Sequence, residues 1–127
     1  MKAAKRRILL VDDDILLSLA LKTGLEVCGY EVRSVSAPAR VLEVVRAFKP
    51  DLIVLDVAMP GKDGGEVAQE LGEQKDVGKI PIIFLTSLVT REEAASAEKR
   101  EETILAKPVS ILELQKCINT RLAACRA

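Results

Sequence analysis

Five short apolar runs punctuate this chain, at positions 8–11, 31–35, 52–55, 80–85 and 103–106. Each is bounded by charges or turn residues, and most lack polar alternation. A strand covered on one face alternates apolar with polar residues, whereas a run without alternation marks a strand buried on both faces, as in a parallel sheet. This feature constrains the fold most, because both faces of such a sheet have to be covered by helices.

The intervening segments carry helical spacing. Residues 15–28 place Leu17, Leu21 (with Ala20), Leu25 and Cys28 on one face and stop at Gly29. Residues 37–48 open after Ser36 and carry Val41, Leu42, Val45 and Phe48. Asp63 and Glu66 read as a cap pattern ahead of Val67 and Leu71. Ser110 and Glu113 form a capping box before Ile111, Leu114, Ile118, Leu122 and Cys125, which share a face. Residues 90–100 offer only Ala94, Ala95 and Ala97 to a core, so the fourth helix should be the least firmly docked. The expectation is one α/β domain over residues 1–127, with five strands, five helices and a doubly wound parallel sheet. A closed eight-fold barrel would need about twice the length.

Composition narrows the chemistry. Nineteen basic residues cancel nineteen acidic ones, so bulk charge gives no pull toward nucleic acid or an anionic membrane. The only aromatics, Tyr30, Phe48 and Phe84, make a poor base-stacking platform. The chain has no histidine, which excludes histidine acid/base catalysis, Ser-His triads and the usual zinc sites. Cys28, Cys117 and Cys125 form no C-x-x-C pair and read as reduced, half-buried thiols of a cytoplasmic protein. The opening MKAAKRRILLVDDD has too short an apolar run for a signal peptide, and ILLSLALK is too short to span a membrane.

In open sheets of this kind, ligands sit beyond the carboxyl ends of the strands. There the first strand runs into Asp12, Asp13 and Asp14, the third ends on Asp56, the fourth on Thr86 and Ser87, and the fifth on Lys107 and Pro108. Asp14 directly precedes a helix and is best read as its N-cap; one cap does not account for three acids. Thr86 and Ser87 could equally cap the fourth helix, and a lone lysine is most often solvated. Taken together at one sheet edge, crowded carboxylates call for a hard divalent cation, and sparse oxygen donors suit Mg²⁺ better than Ca²⁺. Cation, ammonium and hydroxyls suit a phosphoryl group. With no glycine-rich nucleotide loop in the chain, Asp56 is the available carboxylate nucleophile for it.

The segments ILLVDDD (8–14), DLIVLDVAMPGKDGG (51–65), PIIFLTS (81–87) and LAKP (105–108) resemble the receiver domains of bacterial two-component response regulators, over essentially the whole chain. The resemblance implies a flavodoxin-like sheet of order 2-1-3-4-5. It implies Asp56 as phosphoacceptor from the phosphohistidine of a sensor histidine kinase or phosphotransfer protein. It further implies Asp12, Asp13, Asp56 and the Ala58 carbonyl as Mg²⁺ ligands, Thr86 and Lys107 as the groups that meet the phosphoryl oxygens, and a cis Lys107–Pro108 bond. Phosphorylation would then switch the surface of the fourth helix, fifth strand and fifth helix toward a downstream protein. Such a chain is no enzyme beyond its own phosphorylation and slow dephosphorylation, and contacts neither nucleic acid nor membrane directly.

Three positions depart from the family pattern: Ile104 stands where an aromatic is usual, Lys99-Arg100-Glu101-Glu102 where small residues are, and Ser87 where alanine is common. They leave the chemistry in place and bear on the output surface. A chain ending at Ala127 reads either as a stand-alone regulator or as a receiver cut from a longer protein. The alternative function is a phosphorylation-independent adaptor or dimerisation module of the same fold.

Overall fold

A computed structural model describes residues 5–57, 64–86, 103–106 and 109–125. Its elements are β1 (Arg7–Val11), α1 (Ile15–Val27), β2 (Glu31–Val35), a 3₁₀ turn (Pro38–Arg40), α2 (Val41–Phe48), β3 (Leu52–Asp56), α3 (Gly64–Gly72), β4 (Ile82–Thr86), β5 (Thr103–Ala106) and α4 (Ile111–Cys125). All strand pairs are parallel and the order is β2-β1-β3-β4-β5. Four α-helices lie within the described residues; the helix expected over 90–100 falls outside them.

The side-chain period of two divides each central strand between two cores. Ile8, Leu10, Leu52, Val54, Ile83 and Leu85 face the core that Leu21 and Leu25 of α1 and Leu114 and Ile118 of α4 complete. Leu9, Val11, Ile53 and Leu55 face the other, with Val41, Val45 and Phe48 of α2 and Val67 and Leu71 of α3. Two cores on opposite faces are what the unalternating runs required. On the edge strand β2 only Val32 and Val35 are buried, because one neighbour covers it. There the guanidinium of Arg33 lies over the Phe48 ring, 4.7 Å from its centroid, within cation–π range.

Several local readings shift. The helix expected over residues 37–48 opens on a 3₁₀ turn at Pro38–Arg40, and α2 follows from Val41 with no side-chain cap. Pro38 sits in that first turn, where its missing N–H costs no helical hydrogen bond. On α1 the buried residues are Ser18, Leu21 and Leu25, with Ala20 exposed and Leu17 half-buried. The helix therefore turns a serine, rather than Ala20, to the sheet. The α4 reading holds: the Glu113 N–H donates to Ser110 Oγ at 3.1 Å, and Leu114, Ile118 and Leu122 are buried. Gly29, which ends α1, has φ 102°, a conformation glycine adopts without steric cost.

Candidate functional site: an acidic corner at the carboxyl edge

The site is assembled by register. Val11 pairs with Leu55 across β1 and β3, so the next residues, Asp12 and Asp56, leave the sheet side by side. Each offers a carboxylate oxygen that, with one from Asp13, forms a group of three atoms all within 4.8 Å of one another. Asp12 and Asp56 are buried, at 5% and 4% exposure, and Asp13 is exposed. Two carboxylates this far from water are costly as bare charges and call for hydrogen bonds or a cation.

The three consecutive acids have different structural roles. Asp14 caps α1, its Oδ1 accepting from the Leu17 N–H at 3.1 Å. Asp12 turns inward, where Oδ1 accepts from the Asp14 N–H at 2.9 Å and its own N–H donates to the Val35 carbonyl at 3.2 Å. That turn leaves Asp13 at the solvent side of the corner.

Thr86 arrives from β4. Asp56 pairs with Leu85, and the Val57 N–H donates to the Leu85 carbonyl at 3.0 Å. Thr86 therefore stands one residue beyond the level of Asp56 on the adjacent strand, with 6% exposure. Its partner in β5 is Ala106, and Ile104 is paired with Phe84. Ala58, Lys107, Pro108 and Ser87 lie outside the described residues. Of the site residues expected from sequence, the fold thus brings together Asp12, Asp13 and Asp56, and sets Thr86 on the strand beside Asp56.

The donor set fits a hard cation. All three groups are oxygen donors, and their oxygens lie within 4.8 Å of one another, near enough to share one hard cation such as Mg²⁺. Sequence reasoning passed over Ser18 and Lys22, which line a cavity beside Asp12. Their i, i+4 spacing puts them on one helix face, but nothing local tells which strand that face meets.

Comparison with known proteins agrees with this fold. The family profile described as "Response regulator receiver domain" matches residues 8–119. The protein named "Probable transcriptional regulator ycf27" of Cyanophora paradoxa is 37% identical over 123 residues, covering 96% of this chain and 50% of that protein. Response regulator MprA of Mycobacterium leprae is 37% identical over 109 residues, covering 85% of this chain and 47% of that one. The chain spans about half the length of the curated relatives it matches. Among solved structures, a response regulator from Desulfuromonas acetoxidans superposes with a TM-score of 0.83 at 25% identity, covering 94% of this chain and 98% of that one. The receiver domain of Francisella response regulator 1452 gives 0.82 at 27%, covering 95% and 99%.

Proposed function

The chain belongs to the response regulator receiver domain family, and we propose that it signals by accepting a phosphoryl group on Asp56. The observation that carries this reading is the convergence of Asp12, Asp13 and Asp56 at one sheet edge, with two of the three acids buried.

An oxygen of the Asp56 carboxylate attacks the donor phosphorus as the bond to the leaving nitrogen breaks, giving an aspartyl phosphate and a free imidazole on the donor. The chain has no histidine, so the donor is a second protein, a sensor histidine kinase or phosphotransfer protein, or a small phosphodonor. Asp12, Asp13 and Asp56, with the carbonyl of Ala58, would hold Mg²⁺. When bound, it neutralises charge on the transferring oxygens and on the acids themselves. Burial holds Asp56 at the end of β3 and limits its solvent shell, so its nucleophilic oxygen is oriented before the donor arrives. Thr86 supplies a hydroxyl to a phosphoryl oxygen from the next strand, and Lys107 an ammonium from the end of β5.

The new charge then biases the loops after β4 and β5 and the surface of residues 90–100, β5 and α4 toward a downstream protein. The chain acts as no enzyme on outside substrates, lacking a histidine base to speed hydrolysis. It works in the cytoplasm without direct contact to nucleic acid or membrane. Among the described residues no helix is long and apolar enough to cross a membrane.

The test is incubation with Mg²⁺ and acetyl phosphate followed by intact-mass measurement. One added phosphoryl group, absent in Asp56→Asn, is expected. No adduct would favour the adaptor reading, and an adduct persisting in Asp56→Asn would remove Asp56 from its role.

A further inference from the structure

Helix α1 carries only two charges in thirteen residues, Lys22 and Glu26. Leu21 and Leu25 bury one face against the sheet, and the opposite face is apolar as well. Leu16, Ala20, Thr23 and Val27 recur at i, i+4, i+7 and i+11, a stripe about three turns long, and all four are exposed. Leu16 is 79% and Val27 84% exposed, with Ile15 and Leu19 beside the stripe at 69% and 59%. A helix that is apolar all round is normally covered all round. The open carbon surface is on the order of 500 Å², at the upper end of what a monomer shows to water.

The geometry points to a second copy of this chain as the cover, through an antiparallel pair of α1 helices about a two-fold axis. Such a contact must be self-complementary: whatever one copy's residue meets, the reverse contact is made too. The stripe meets that condition. With Ala20 of one copy opposite Thr23 of the other, Leu16 falls opposite Val27 at both ends. Bulky side chains then meet at the ends, and the small central pair lets the helix axes approach to about 8 Å. The Thr23 hydroxyl already donates to the Leu19 carbonyl at 2.9 Å, so covering it strands no polar group. Lys22 and Glu26 lie one turn apart on one flank, leaving no charge to desolvate along the stripe. The matching surface is thus present in the chain itself. Two copies together cover on the order of 1,000 Å², the lower bound for a specific interface, so the pair is weak and concentration-dependent. This pairing is independent of phosphoryl transfer and is read on the unphosphorylated chain.

The experiment is sedimentation velocity on the full chain from about 1 μM to about 1 mM. The mass is expected to rise from one chain toward two. Leu16→Glu or Val27→Lys alone should weaken association about tenfold or more, because each places unpaired charge in the covered stripe at both ends of the pair. Both positions are exposed, so helix content and the thermal midpoint of the dilute chain should change little. An equimolar mixture of the two variants should recover association, since the introduced charges then face each other at one end while Leu16 meets Val27 at the other. A chain that stays monomeric throughout would overturn the proposal and leave the face to a helix of another protein. Association unaffected by both variants, or a mixture no tighter than its components, would overturn the antiparallel α1 pair.

Discussion

The Asp14 backbone N–H donates to Oδ1 of Asp12 at 2.9 Å, while the Asp14 side chain turns the other way and caps α1 through Leu17. Two acids of one type, two residues apart, are thereby separated into a helix cap and a buried member of the acidic corner. The separation follows from backbone direction: Asp12 still lies at the sheet's edge, whereas Asp14 has the extended φ and ψ of an N-cap.

Replacing the two acids should therefore have different consequences. Asp14→Ala should lower stability by about 1 kcal/mol, the usual cost of an N-cap, with Mg²⁺ affinity nearly unchanged. Asp12→Asn should weaken Mg²⁺ binding strongly. Urea unfolding and Mg²⁺-dependent NMR shifts distinguish the two. Equal loss of cation affinity in both variants would show that Asp14 belongs to the corner.

The Ile111 side chain at the start of α4 packs directly against Gly24 of α1. A Cβ built there would fall 2.5 Å from Cδ1 and 2.6 Å from Cγ1 of Ile111. Alanine in place of a helical glycine otherwise stabilises by about 1 kcal/mol. Gly24→Ala should therefore be neutral or destabilising alone and stabilising by about 0.5–1 kcal/mol in an Ile111→Ala background. A double-mutant cycle measured by thermal unfolding checks the sign reversal; simple additivity would mean that the helices do not lock here.

Burial pushes the Cys117 thiol up from its ordinary 9.0, against a smaller pull downward from Arg121. Burial, with Cys28 nearby, likewise raises Tyr30 above 10.0. In both cases the unfolded chain loses its proton first, so the stability is present below the unfolded value and lost as pH rises through the folded one. The urea midpoint should fall above pH about 9, and the fall should be shallower in Cys117→Ala. An alkaline slope identical in that variant would assign the loss elsewhere.

Phosphoryl mimicry should act at a distance from Asp56. Beryllofluoride with Mg²⁺ is expected to change hydrogen-exchange protection across residues 88–103, where the alanine-rich spacing offers little apolar area to a core. Unchanged protection there, with mass spectrometry showing a filled Asp56, would place the switch in another segment.

What was determined by sequence alone is local. Short apolar runs located all five strands, the 3.6 period located α1, α3 and α4, and Ser110 and Asp14 were identifiable as caps from their positions. These follow from neighbours a few residues apart, whose preferences act before any long-range contact forms. The entry to α2 was less legible: the spacing placed a helix over 37–48, and its first turn, Pro38–Arg40, is 3₁₀. Only the tertiary structure decided which strand lies beside which. Asp12 and Asp56 are far apart in the chain and adjacent in space because β1 pairs with both β2 and β3, an arrangement that the motifs could point to only through family resemblance. The same holds for Ser18: helical spacing cannot say which residue of α1 meets β2, because that rotation is set by packing against both the sheet and α4. Side chains whose surroundings come from distant segments are invisible to local pattern, and the acidic corner and the cavity beside it are both built that way.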